Sequence, residues 1–237
     1  MNKFFPIALL AVLIVGCKGG ETTAATTGGG STTALAGQIY NFKFSPTQGE
    51  KYRYSMKVVS QGRTVEQGFT IACEKAEGGK FTMVTSIDTF KMDGKDVPAS
   101  VFQSLKNMKS TAIMDSTGKT LESKTEGAPG GVSADTPTPS LPTKPVKIGD
   151  TWEGTAKIGG QEVKYSYKLT GVGNEDGKEV ATIEAMTSNI PGGGSLDGPM
   201  VLKVELATGM PYSMTMKSKS KDPSGNDVSA TMEMTRI

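Results

Sequence analysis

Lys51-Tyr52-Arg53-Tyr54-Ser55-Met56-Lys57-Val58 alternates polar residues with large apolar ones without a break. Successive side chains of a strand point to opposite faces. A period of two therefore puts Tyr52, Tyr54, Met56 and Val58 on one face and Lys51, Arg53, Ser55 and Lys57 on the other. This is the pattern of a half-buried antiparallel strand with one wet side. The pattern spreads outward in both directions. Tyr40, Phe42 and Phe44 share a face upstream; Val65, Phe69, Ile71 and Cys73 follow downstream, then Phe81, Met83 and Ile87. Pro46 to Gly49, Gln61-Gly62, Gly78-Gly79 and Asp93-Gly94 separate the runs and supply turn residues.

One segment breaks the period. Asp96-Val97-Pro98 is a helix start, and Val101, Phe102, Leu105 and Met108 recur at helical spacing, which predicts a helix near 97–109. A hairpin pattern follows, from Ala112 to Met114 and from Leu121, around Ser116-Thr117-Gly118-Lys119. Residues 124–146 hold Pro129, Pro137, Pro139, Pro142 and Pro145 and read as an extended linker, because Pro cannot donate to a sheet ladder. Alternation then resumes in Trp152, Ala156 and Ile158, in Val163, Tyr165, Tyr167 and Leu169, in Ala181, Ile183 and Ala185, and in Leu202, Val204 and Leu206. A last hairpin sets Tyr212, Met214 and Met216 against Val228, Ala230, Met232 and Met234 around Asp222 to Asp227. The chain thus divides into a first β half over 38–123, a linker over 124–146 and a second β half over 147–237.

The halves overlay at an offset of about 98 to 100 residues. Pro46 to Tyr52 lies over Val146 to Trp152, Gly62 over Gly160, Val65 over Val163, Phe69 over Tyr167 and Ile71 over Leu169. Thr117-Gly118 lies over Thr208-Gly209 at a shorter offset. A hairpin-rich chain also aligns with itself at turn spacing, but the run of matches reads as a duplicated meander. The fold class is mainly β (α+β): antiparallel meanders forming two duplicated sheets or a curved half-barrel, with one short helix. A curved sheet with a helix over its mouth resembles, in architecture alone, the bacterial carriers that shuttle lipoproteins or lipids.

Composition excludes several chemistries. The sequence has no histidine, so Ser-His-Asp triads, Cys-His pairs and His-ligated metals are ruled out. Lys plus Arg is 26 against 24 for Asp plus Glu, a balance that offers no strong field to nucleic acid. No motif asks for a cofactor or a metal, and we read the protein as not an enzyme. Asp88, Asp93, Asp96, Glu179 and Glu184 are the carboxylates that acid–base chemistry without histidine would have to use.

The N-terminus carries an address. Met1-Asn2-Lys3 precedes a run from Phe4 to Val15 that is apolar apart from Pro6 and too short for the roughly 20 residues of a membrane span. It ends in Ile14-Val15-Gly16-Cys17, which resembles the lipobox of bacterial lipoproteins. That resemblance implies a signal peptide over 1–16, diacylglycerol on the Cys17 sulfur and cleavage before Cys17. It also implies a location in the cell envelope, anchored to the membrane through covalent lipid. Lys18 after the anchor favours the outer membrane in a Gram-negative cell. Residues 17–37 form the lipidated Cys and a Gly- and Thr-rich tether with too little apolar surface to order itself, reaching about 25 Å. With Cys17 modified, Cys73 has no partner for a disulfide. The segment Lys144 to Trp152, with its Pro-Val-x-x-Gly-Asp-x-Trp pattern, also resembles a segment of uncharacterised bacterial lipoproteins.

Other motifs read as structure. Gly118-Lys119-Thr120 lacks the upstream Gly of a phosphate loop, with Ile113 in its place. Gly193 to Asp197 lacks the closing Gly of a nucleophile elbow. Val172 to Glu179 lacks the first ligand of a calcium loop. Cys73 sits on an apolar face and reads as core. Lys217, Lys219 and Lys221 read as guards of an edge strand. Met214, Met216, Met232 and Met234 share one face of the last hairpin. They read as flexible core packing, with a lining for an apolar ligand and a Cu(I) thioether site as the alternatives. The expected role is non-catalytic binding or scaffolding of an envelope protein; the alternative is a carrier of a lipid or other apolar ligand in a β cavity.

Overall fold

The alternating runs form long strands. The computed structural model describes residues 37–127, 140–158, 161–187, 194–221 and 225–237. Cys17, the lipobox, the tether up to residue 36 and positions 128–139 of the Pro-rich segment lie outside the described residues. The elements are β1 (Lys51–Ser60), β2 (Arg63–Glu77), β3 (Lys80–Met92), β4 (Lys95–Asp96), α1 (Ala99–Lys106), β5 (Lys109–Asp115) and β6 (Thr120–Glu126). They continue with β7 (Thr151–Ile158), β8 (Gln161–Glu175), β9 (Lys178–Met186), β10 (Ser195–Leu196), β11 (Met200–Glu205), β12 (Pro211–Lys221) and β13 (Asp227–Arg236).

All strands join one antiparallel sheet in the order β6-β5-β3-β2-β1-β13-β12-β11-β9-β8-β7, with β4 beside β3 and β10 beside β12. Both halves repeat the same run of strands, and β13 adds itself between them. Of the two arrangements expected, two duplicated sheets or one curved sheet, the structure has the single sheet: β1 and β13 zip the halves edge to edge, with Tyr54 opposite Arg236 and Met56 opposite Met234. The repeat extends to the turns. Gly49 N donates to Cys73 O and Gly149 N to Leu169 O, while Glu50 N donates to Thr47 O and Asp150 N to Lys147 O.

This single layer curls. Phe44 N donates to Ser116 O in the β5–β6 turn, and the next residue, Ser45, donates through its N to Thr208 O in the β11–β12 turn. Strands β5 and β12 have four strands between them, about 24 Å in a flat sheet at ~4.8 Å per strand. A second clip spans the two edges. Leu141 N donates to Thr117 O beside β6, while Ser140 Oγ donates to Thr155 O of β7. Flat, those edges would stand about 48 Å apart. The sheet is open, because β6 and β7 do not pair. At this end, which we call the base, the extended segments 40–46 and 140–146 bridge the gap and hydrogen-bond to each other through Tyr40 and Val146.

The concave face is the core. One apolar cluster runs from Phe81 and Met114 through Tyr54, Met56 and Met234 to Val163, Tyr167 and Leu169, and takes in Phe44, Leu141 and Val146 from the bridging segments. At the opposite end, the rim, α1 lays Leu105 over Ile87 and Phe90 with Met108, and Val65, Val97, Val101 and Phe102 close around them. The helix is shorter than the 97–109 expected. Pro98 occupies its N-cap position and the chain leaves it at Asn107. Lys124 to Glu126 extend β6 rather than opening a linker, and Leu206 falls in a turn beyond β11.

The Lys217, Lys219 and Lys221 reading is corrected. Strand β12 is interior, flanked by β13 on one side and by β10 and β11 on the other. Lys219 and Lys221 instead pair with Asp197 and Asp227 on the convex face.

Gly209 shows how tightly the base is packed. Its φ is +70°, and a Cβ there would lie 2.6 Å from Lys43 O and 2.9 Å from Phe44 Cα. Gly62 has a similar φ of +74° with open space around it. We predict that Gly62→Ala costs about 1 kcal/mol, from the left-handed backbone alone, and Gly209→Ala about 3 kcal/mol or more. Urea unfolding of the two variants measures the difference. Equal losses would mean the bridging segment is not seated on this turn.

Candidate functional site

Two places on the inward-facing rows carry features that packing alone does not require. The first is the middle of the concave wall. Met56, Met234 and Met214 stand directly opposite one another across β1, β13 and β12, and Val58, Met232 and Met216 form the adjoining row. The four methionines singled out from the sequence are thus brought together, and Met56 joins them. All but the half-buried Met216 are buried in the main cluster. Thioether side chains are unbranched and polarizable and adapt to whatever they face.

Two polar side chains interrupt this wall. Gln67 lies opposite Met56 and Phe90, and Ser218 opposite Ala230 and Leu196; each is buried. Neither Gln67 Oε1 nor Ser218 Oγ has a hydrogen-bond partner among the described residues. A buried polar group without a partner costs about 1–3 kcal/mol.

The second place is a cleft of about 260 Å³ at the base, lined by Glu50, Tyr52, Asp176, Lys178, Tyr212 and Arg236 among others. Arg236 continues the inward row of β13, two positions beyond Met234. Only 8% of its side chain is exposed. Its guanidinium carbon lies 5.6 Å from the Tyr52 ring centre and 5.2 Å from that of Tyr212, on the strands either side of β13. Such cation–π contacts contribute roughly 0.5–2 kcal/mol each. Arg236 Nη2 is 2.8 Å from Glu205 Oε2, an ion-pair distance. The N–H is not aligned with that oxygen, however, and neither Nη1 nor Nη2 makes a hydrogen bond. Glu205 is buried, accepts from Thr208 Oγ1 at 3.2 Å and lies 3.7 Å from Lys178 Nζ.

The phenols around this base are held neutral. Burial, then the hydrogen bond to Glu50, pushes Tyr52 far above the usual phenol range. Burial does the same to Tyr54, against the pull of Arg236, and its hydroxyl donates to Pro211 O. The hydrogen bond to Asp176, then burial, raises Tyr212. These groups donate hydrogen bonds at neutral pH and do not act as bases.

Other sequence candidates fall elsewhere. Cys73 is fully buried, and burial followed by the charge of Glu50 raises its thiol, which makes it unreactive. Gly118-Lys119 forms a turn capped by Asp115, whose Oδ1 accepts from Thr117 N, Thr117 Oγ1 and Lys119 N. Val172 to Glu179 is the β8–β9 hairpin, with Asn174 Oδ1 accepting from Gly177 N. Asp88, Asp93 and Asp96 sit around β3 and β4, while Glu179 and Glu184 sit on β9, with five strands between β3 and β9 in the sheet order. Trp152 is half-buried; it stacks on Tyr167 and donates through Nε1 to Ser140 O at 2.9 Å.

Arg236, Gln67 and Ser218 were missed. Their signal is a polar residue at an inward position: Arg236 after Met232 and Met234, Gln67 between Val65 and Phe69, Ser218 after Met214 and Met216.

No protein-family model matches the chain, and no curated protein matches it. Among solved structures it is similar to the crystal structure of a DUF1329 family protein from Desulfovibrio piger. The two share 10% identity over 78% of this chain and 82% of that one, with a TM-score of 0.27. Nothing about activity follows from that likeness.

Tyr167 gives a pH prediction. Burial pushes its phenol up to about 12 from the ordinary 10.0. A folded state that holds the proton more tightly keeps this stabilisation whole below pH 10 and loses it as pH climbs toward 12. At ~1.4 kcal/mol per unit, Tyr167→Phe should remove about 2–3 kcal/mol of the alkaline loss measured by urea unfolding between those pH values. An unchanged slope would place Tyr167 in contact with solvent.

Proposed function

We propose that the protein is a lipid-anchored, non-catalytic binding protein of the cell envelope. Two sequence features support the address: the Ile14-Val15-Gly16-Cys17 box after a short apolar run, and the polar stretch that follows. The absence of histidine supports the non-catalytic part. With Cys17 acylated, two or three chains hold the protein on the membrane durably, at ~0.8 kcal/mol per buried methylene.

A specific observation favours a carrier of an apolar ligand as the form this binding takes. Gln67 Oε1 and Ser218 Oγ are buried without partners among the described residues, in a wall otherwise made of methionine, aliphatic and aromatic side chains. A wall of adaptable thioethers with a few polar atoms is the composition of a site for an apolar molecule carrying one or two polar groups.

Two measurements test these readings. Cys17→Ser should abolish the acyl mass and move the protein from the membrane to the soluble fraction; a variant that still fractionates with membranes removes the anchor. Native mass spectrometry of the Cys17→Ser chain from a bacterial host should show a copurifying apolar molecule, and Gln67→Leu should reduce its occupancy. If Gln67→Leu instead stabilises a ligand-free protein by about 1 kcal/mol, the wall is a dry core and the carrier reading fails.

A further inference from the structure

We propose that the base cleft is a binding site for an oxyanion, a carboxylate or phosphate group, with Arg236 as its principal donor. This site is separate from the concave wall and stands whether or not the wall carries a ligand.

The argument starts from what Arg236 leaves unused. A guanidinium has five N–H donors in one plane, and a buried one normally satisfies them. Here the Tyr52 and Tyr212 rings flank the group, so bonding capacity remains only in its plane. That plane is the direction in which guanidinium binds carboxylate or phosphate in a bidentate way. Glu205 contributes charge beside Nη2 without an aligned hydrogen bond, and Nη1 has no partner. The interior of a protein penalises such a group, and a built oxyanion site is where the penalty is useful.

The local charges agree. The single charge of Glu205 stands between two cations, Arg236 and Lys178, and the cleft is also lined by Lys51 and Arg53. Its acidic lining residues are already engaged: Glu50 accepts from the Tyr52 hydroxyl and Asp176 from the Tyr212 hydroxyl. Those two bonds engage the phenol hydroxyls, so neither hydroxyl bonds to Arg236, whose guanidinium lines the cleft beside Lys178.

Two sources could supply the group. The base is the end at which the chain arrives at Tyr40, so, if Cys17 is lipidated as proposed above, headgroup phosphates are one source. A soluble phosphate ester or carboxylate is the other source.

Calorimetric titration of the Cys17→Ser full chain with sodium phosphate and sodium acetate, against sodium chloride at equal ionic strength, tests the site. Saturable binding of phosphate or acetate is expected, with none of chloride. Arg236→Lys should weaken it roughly tenfold or more, since an ammonium cannot make the planar pair. Absence of saturable binding to either anion overturns the proposal, as does unchanged affinity in a folded Arg236→Lys. Should Arg236→Lys not fold, Lys178→Gln at the cleft margin decides: weaker binding supports the site and equal binding overturns it. Phosphatidylglycerol vesicles identify the source. Retention of the chain that requires Arg236 and is displaced by free phosphate assigns the headgroup, while phosphate binding without retention assigns a soluble ligand.

Discussion

A sheet with one apolar face and, among the described residues, no second layer has to bury that face against itself. Everything else in this structure follows from that constraint. The helix α1 covers the rim and little more. The long arc of strands from β6 to β7 must therefore curl until its two edges nearly meet, and two short extended segments hold it there. Residues 44 and 45 tie turns from opposite sides of β1, and residues 140 and 141 tie the two edges. Each tie is a hydrogen bond worth about 1 kcal/mol net. Their larger effect is to seat Phe44, Leu141 and Val146 in the apolar cluster, where burial of such side chains contributes about 1.5–3 kcal/mol each.

Most of the strands were legible because their signal is local. Alternation in Tyr52, Tyr54, Met56 and in Val163, Tyr165, Tyr167, Leu169 marks the inward face correctly, and the paired turns at Gly49 and Gly149 announce the repeat. Phe90 was not legible. Strand β3 carries one extra residue, Asp88, between the pairs Phe69–Ile87 and Gly68–Thr89, so the parity flips and Phe90 turns inward against the simple count. The partner of β1 was not legible either. Its union with β13 joins residues far apart in sequence, and no local pattern encodes such a pairing. The same long-range fact reversed the reading of the Lys217 to Lys221 stripe, because whether a strand is an edge depends on neighbours and not on its own residues.

The candidate sites were half legible for a related reason. The four methionines stand out because they recur at inward positions. Arg236, Gln67 and Ser218 occupy the same kind of position with the opposite chemistry, and become visible only once the inward face is known. Their environments then differ. Gln67 and Ser218 lie in an apolar wall, whereas Arg236 lies at its end between two aromatic rings and beside a buried carboxylate. A curled sheet thus presents two distinct surfaces on one set of strands: a soft interior and a charged floor.

The order of strands has a consequence for biogenesis. A polypeptide that leaves the ribosome, or crosses a membrane, N-terminus first delivers β1 early and β13 last. Until β13 arrives, β1, already paired with β2 on one side, presents a bare edge on the other, and the first meander has an uncovered oily side. Native closure is then a late, long-range event that has to wait for the last strand of the sheet. In that interval the nascent chain is exposed to self-association through its open edge. Its last strand serves as the clasp that ends that vulnerable interval.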